Sequence, residues 1–129
     1  MNPTVPFWIS FVLTVLLLVV SLVSGFGGKR KLHVVTGPLT IVSLAVAIWL
    51  TEQLMRQYEF PREELDFHLI FAKSGGLLAL PVAITGIWYL RSPKARLWHR
   101  AAVLIWLVSV LMATATGLWV FGLGELRVA

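Results

Sequence analysis

Four long apolar runs alternate with short polar segments along the chain, from Phe7 to Phe26, from about Leu32 to Thr51, from Phe67 to Leu90 and from Leu97 to Phe121. A hydrocarbon core of about 30 Å takes roughly 20 helical residues to cross, so each run is long enough to span one. Backbone in lipid must satisfy its own hydrogen bonds, which makes helices the default. The pattern therefore predicts an all-α, transmembrane, up-down-up-down four-helix bundle, folded as a single membrane domain over residues 1–129.

The polar segments between the first two runs and between the last two are only a few residues long, which forces antiparallel neighbours. The connection from about Glu52 to Asp66 is longer and acidic. Within it "FPREELDF" offers a turn and a helix start, and the segment reads as a small extracytoplasmic cap. No internal repeat at a fixed period and no low-complexity segment stands out.

Composition removes the soluble alternative. With 58% hydrophobic and 13% charged residues, the chain lacks the polar surface to cover itself in water. Cysteine is absent, which excludes a disulfide framework, a thiolate metal site, a cysteine nucleophile and covalent haem attachment through Cys-x-x-Cys-His. No Gly-x-Ser-x-Gly elbow or phosphate loop is present, and "GFGGKR" reads as a turn after a membrane helix.

The net charge of +5 does not point to nucleic acid, because the basic residues stand beside apolar runs and form no interleaved aromatic and basic face. Lys29, Arg30, Lys31, Arg91, Lys94, Arg96 and Arg100 gather on the two short loops, with no acid among them. By the positive-inside rule that side is cytoplasmic. The six acids, Glu52, Glu59, Glu63, Glu64, Asp66 and Glu125, fall on the other side. The expected setting is a bacterial inner membrane with both termini extracytoplasmic. "SLVSG" resembles a signal cleavage site, but the positive charge follows the apolar run instead of preceding it, so the first run reads as a retained helix. Trp8, Trp49 and Trp119 mark the outer interface, and Trp88 and Trp98 the inner.

Candidate chemistry centres on three histidines, His33, His68 and His99, each at the mouth of an apolar run. In an up-down-up-down bundle the second and fourth helices start on the same side and lie diagonally across the core. His33 and His99 are then level, and a flat macrocycle between them would have one imidazole on each face of its metal. His68 stands roughly 25 Å away by helix rise, with no second histidine at its depth, so a metal there would be five-coordinate or take another ligand such as Met55. Trp106 follows His99 by seven residues and shares its face.

Small residues accompany the histidines: Thr36, Gly37 and Thr40 after His33, Ala102 and Val103 after His99, and Ala72, Gly75, Gly76, Ala79, Ala83 and Gly86 after His68, with "ATATG" from Ala113 to Gly117 at about the same outer depth as "AKSGG". They suit either a cofactor, quinone or lipid cavity or the close packing that helix interfaces in lipid favour. The histidines likewise suit metal ligation or interfacial hydrogen bonding. Lys31, Arg96 and Arg100 serve topology, and would also pair with haem propionates near His33 and His99. Lys73, inside an apolar run, must snorkel outward, the favoured reading, or find an acid such as Asp66.

The stretches "KLHVVTG", "DFHLIFAKSGG" and "RLWHRAAVLIW…TATGLWVF" resemble the histidine-opened helices of small membrane cytochromes b. These include the ascorbate-reducible transmembrane cytochrome b family and a four-helix bacterial family found near terminal oxidases. The resemblance covers roughly Lys31 to Phe121. It implies b-type haem held by histidines and electron transfer within the membrane. The ascorbate-reducible family pairs four histidines over two haems, whereas this chain has three, and only His33 and His99 keep the paired pattern.

The expectation is a membrane protein with one haem b, bound by His33 and His99 with Gly37, Trp106, Lys31, Arg96 and Arg100 around it, that exchanges electrons with a quinone or a partner complex. Any enzymatic role would be that of an electron-transfer subunit, in a larger membrane complex or a homo-oligomer. Two alternatives stay open. One is a cofactor-free structural or assembly subunit of a respiratory complex. The other is a chlorophyll-binding subunit of a photosynthetic complex, which would suit the unpaired His68.

Overall fold

The computed structural model describes residues 4–128. Four long helices dominate it: α1 (Thr4–Phe26), α2 (Arg30–Met55), α3 (Arg62–Arg91) and α4 (Arg96–Leu123). All four are long and apolar enough to cross a membrane. The chain divides into two compact units, Met1–Tyr58 and Glu59–Ala129, each of which contains one helical hairpin.

In the first unit α1 packs on α2, and the packing is inverted relative to a water-soluble protein. The four buried residues of α1 are Ser10, Thr14, Ser21 and Ser24, while Ile9, Leu13, Leu16 and Val23 are exposed. On α2 the buried set includes Thr36 and Thr40. This is the pattern expected of helices in lipid, where apolar burial gives no driving force and small side chains and interhelical hydrogen bonds hold a seam. Thr14 donates its hydroxyl to Ser10 O at 2.8 Å. Ser43 Oγ then donates to Thr14 Oγ1 across the seam at 2.6 Å.

The turn between α1 and α2 is closed by backbone chemistry. Gly28 has φ +73°, a left-handed conformation that glycine adopts without steric penalty. The amide of Lys29 donates to Ser24 O at 2.9 Å, the long bond of a Schellman cap that satisfies an orphan carbonyl at the end of α1.

In the second unit α3 packs on α4 through a turn of 3₁₀ helix, Pro93–Ala95. Ser92 is extended, as the residue before a proline tends to be, and this ends α3. Gly75 and Val82 of α3 and Trp106, Thr116 and Val120 of α4 are buried. Trp106 Nε1 donates to Gly75 O at 3.0 Å, so the one tryptophan at mid-helix is tied to the seam by its polar atom.

The acidic connection differs from expectation. Residues 52–66 are not one loop: α2 runs on to Met55 and α3 begins at Arg62. Only a short link remains, in which β1 (Tyr58–Glu59) pairs with β2 (Glu125–Leu126). The helices outlast their apolar runs because nothing in Glu52–Met55 or Arg62–Asp66 breaks a helix. Pro61 sets the start of α3, and Glu63 and Glu64 lie in its first turn, where negative charge complements the helix dipole.

Candidate functional site: three imidazoles held at Nδ1

Each histidine sits near a helix start and leans on the neighbouring helix of its own hairpin. His33, in the first turn of α2, approaches α1 with its Nδ1 2.8 Å from Ser21 O and 3.4 Å from Ser21 Oγ. His99, in the first turn of α4, places Nδ1 3.1 Å from Thr85 Oγ1 of α3. His68, in the second turn of α3, places Nδ1 2.8 Å from Thr116 Oγ1 of α4.

The partners fix which ring nitrogen carries the proton. Ser21 O is a carbonyl and only accepts, so His33 Nδ1–H donates. Thr85 already donates its one hydroxyl proton to Pro81 O at 2.6 Å, and Thr116 donates its own to Met112 O at 2.7 Å. Threonine in a helix commonly bonds back to the carbonyl four residues earlier, and this leaves its oxygen to accept. In both cases Nδ1–H of the histidine is the donor. In the neutral ring Nε2 then bears the lone pair, the state required of a metal-ligating imidazole.

A glycine makes each approach possible. A Cβ on Gly25 would stand 2.9 Å from His33 Cε1 and Nδ1, one on Gly117 3.0 Å from His68 Cε1, and one on Gly86 3.2 Å from His99 Cε1. These distances are tighter than ordinary van der Waals contact. Gly37 differs: a Cβ there would be 4.0 Å from His33 Cε1 and 3.8 Å from Ser21 Oγ, so Gly37 borders the His33 ring with room to spare. His99 also stacks on Tyr89, ring centroids 6.2 Å apart and planes at 21°.

The other expected site residues separate by role. Trp106 faces α3, as its spacing from His99 predicts, but its Nε1 is occupied by Gly75 O and it is buried. Lys31 and Arg96 lie in the first turns of α2 and α4, with Arg100 directly after His99, and all three are exposed. Lys73 is exposed, in keeping with snorkelling.

Ser21, Thr85 and Thr116 were not among the expected site residues, although a signal for two of them exists. His68 precedes Thr85-Gly86 and His99 precedes Thr116-Gly117 with the same spacing, 18 residues from histidine to glycine. Eighteen residues are five helical turns, so each helix of the second hairpin carries its own histidine and the other's niche on one face. The repeat goes unseen at first because its unit is a face of a helix and not a fixed period along the chain.

Among the described residues no group of three or more His, Asp or Glu side chains comes together to hold a bare metal ion. One or two imidazoles are sufficient only for a metal that brings its other ligands with it, as a macrocycle does. Comparison with known protein families, curated proteins and solved structures finds no match for this chain.

Proposed function

We propose that the chain is a membrane b-type haem protein that passes electrons to or from a quinone or a partner redox complex, with His33 and His99 as the residues that would hold the haem. The observation that carries this reading is the common setting of the imidazoles: Nδ1–H donates to a Ser carbonyl or a Thr hydroxyl, which leaves the lone pair on Nε2. Metal-ligating histidines are oriented in this way, by a hydrogen bond from the other ring nitrogen.

The donor set fits the group. Haem needs one or two axial ligands from the protein, and noncovalent binding needs no cysteine. Close packing alone accounts for the glycines, but not for three histidines that all present the same nitrogen to the neighbouring helix. Bound haem would supply one-electron chemistry through its iron. The chain's own residues hold the ligand rings, and Lys31, Arg96 and Arg100 would pair with propionates at the basic end. By the positive-inside rule, the cations of the two turns support a cytoplasmic position for that end, in a bacterial inner membrane.

The test is a visible absorption spectrum of the detergent-purified chain, oxidised and dithionite-reduced, with the variants His33→Ala and His99→Ala. Sharp reduced α and β bands that are lost in both variants are the expected result. A colourless protein from haem-replete cells overturns the reading in favour of a structural subunit, and chlorophyll bands from native membranes overturn it in favour of a pigment protein.

A further inference from the structure

The turn of the second hairpin carries two cations that the haem reading leaves unused. Arg91 is the last residue of α3, and Lys94 lies in the 3₁₀ turn Pro93–Ala95. Both are exposed. The backbone that presents them is fixed: Ser92 donates its amide to Trp88 O at 2.9 Å and Ala95 donates its own to Ser92 O at 3.3 Å. Ala95 is fully buried, and Pro93 sets φ at the start of the turn.

Arg91 also ends a stripe. Leu77, Leu80, Ile84 and Ile87 are each more than half exposed, and with Arg91 they repeat at steps of three and four residues, one face of a helix. Gly75 and Val82, the buried residues of α3, lie on the opposite side by helix geometry. From Leu77 to Ile87 the stripe rises about 15 Å, half of a hydrocarbon core of about 30 Å and so the depth of one leaflet. Trp88 and Trp98, both exposed, flank the turn, and exposed tryptophans settle at the headgroup level. In a membrane Arg91 and Lys94 then stand at the depth of the lipid phosphates.

No carboxylate of this hairpin lies at that end. The sequence has no acidic residue between Asp66 and Glu125. Asp66 is about 37 Å from Arg91 by the rise of α3, against a screening length of about 8 Å. Glu125 follows the far end of α4.

We infer that this turn binds an anionic phospholipid, whose phosphate Arg91 and Lys94 hold while an acyl chain lies along the stripe from Ile87 to Leu77. Arginine's planar fork grips a phosphate through two N–H donors, and lysine adds a compact charge. Topology asks only that cations stand on one side; it calls for neither an ordered turn nor an apolar stripe one leaflet deep beneath the arginine. An acidic protein fits less well, because it would have to reach cations held at headgroup depth. The inference does not rest on the haem reading.

The full chain, stripped of lipid in an uncharged detergent, is titrated with phosphatidylglycerol and with phosphatidylcholine of the same acyl chains, and bound lipid is counted by native mass spectrometry. Wild type should prefer phosphatidylglycerol by about twenty-fivefold, two cations at about fivefold each. Arg91→Gln with Lys94→Gln should abolish the preference. Lys29→Gln with Arg30→Gln, which removes the same charge from the other turn, should leave most of it. Inorganic phosphate should not displace the lipid, because it has no chain to lay on α3. Equal affinity of wild type for the two lipids overturns the inference without recourse to any variant, and leaves the charge of the turn to topology or to an acidic partner protein. An equal loss in the two double variants overturns it in favour of unspecific attraction, and displacement by inorganic phosphate overturns it in favour of a simple anion site.

Discussion

Thr116 Oγ1 lies 2.8 Å from His68 Nδ1 and 2.7 Å from Met112 O. One hydroxyl proton cannot serve both bonds as donor, so the threonine donates to its own helix and accepts from the histidine. Thr85 stands between Pro81 O and His99 Nδ1 in the same relation. The consequence is chemical as well as structural: a backbone habit of threonine in helices fixes the tautomer of an imidazole on the next helix.

Thr85→Val and Thr116→Val should therefore cost stability by removing the acceptor of a part-buried N–H, about 1–3 kcal/mol each. Thr85→Ser and Thr116→Ser keep the hydroxyl and should stay near wild type. Thermal unfolding in detergent followed by circular dichroism reads the difference; equal melting of the Val and Ser variants would refute the hydrogen-bond assignment.

The glycines make a sharper contrast. Gly25→Ala puts a methyl group 2.9 Å from the His33 ring, so the ring must leave its contact with Ser21 O, and the overpacking should cost about 1–3 kcal/mol. A Cβ on Gly76 meets nothing within 4 Å. Gly76→Ala should be neutral or should stabilise α3 by up to about 1 kcal/mol, the helix propensity gained. A pair of melting curves that shift in opposite directions is the expected outcome.

How much of this was legible in the sequence follows from which forces act locally. The spans were, because an apolar run of about 20 residues has one low-energy fate in lipid. The helix ends were legible only in part: "FPREELDF" offers a helix start, and α3 does start at Arg62 after Pro61, but the polar residues Arg62 to Asp66 lie outside the apolar run that begins at Phe67. Hydropathy reports where the lipid lies and caps report where a helix stops. The three histidines stood out as polar residues at the mouths of apolar runs. Their partners did not, because Ser21, Thr85 and Thr116 look like ordinary small residues until the hairpin register sets each one opposite a ring.

The Thr14 and Ser43 hydroxyls, 2.6 Å apart across α1 and α2, test whether polar contacts hold the first hairpin. A double-mutant cycle of Thr14→Val and Ser43→Ala should give a coupling of about 0.6 kcal/mol, typical of hydrogen bonds between helices in lipid. Zero coupling would mean that close packing alone joins these helices.

Trp106 separates packing from hydrogen bonding in the second hairpin. Trp106→Phe loses the bond to Gly75 O and keeps most of the ring, for a cost of about 0.5–1.5 kcal/mol. Trp106→Ala also opens a cavity beside α3 and should cost about 3–5 kcal/mol. If the two variants melt together, the ring is not packed in the seam.

Topology can be read directly because the chain has no cysteine of its own, so any engineered thiol is the only one. The two turns hold cations, from Lys29 to Lys31 and from Arg91 to Arg100, and no acidic residue in the sequence between them, while Glu59, Glu63 and Glu64 lie at the other ends of the helices. If charge sets orientation, Ser92→Cys in intact cells should resist a membrane-impermeant maleimide and react only after permeabilisation. Glu59→Cys should react without it. The reverse pattern would place the basic turns outside, and Lys31, Arg96 and Arg100 would then lie at the extracytoplasmic face, with His33 and His99 near it. Labelling of both sites in intact cells would mean that α3, whose two ends they flank, does not cross the membrane in a single orientation.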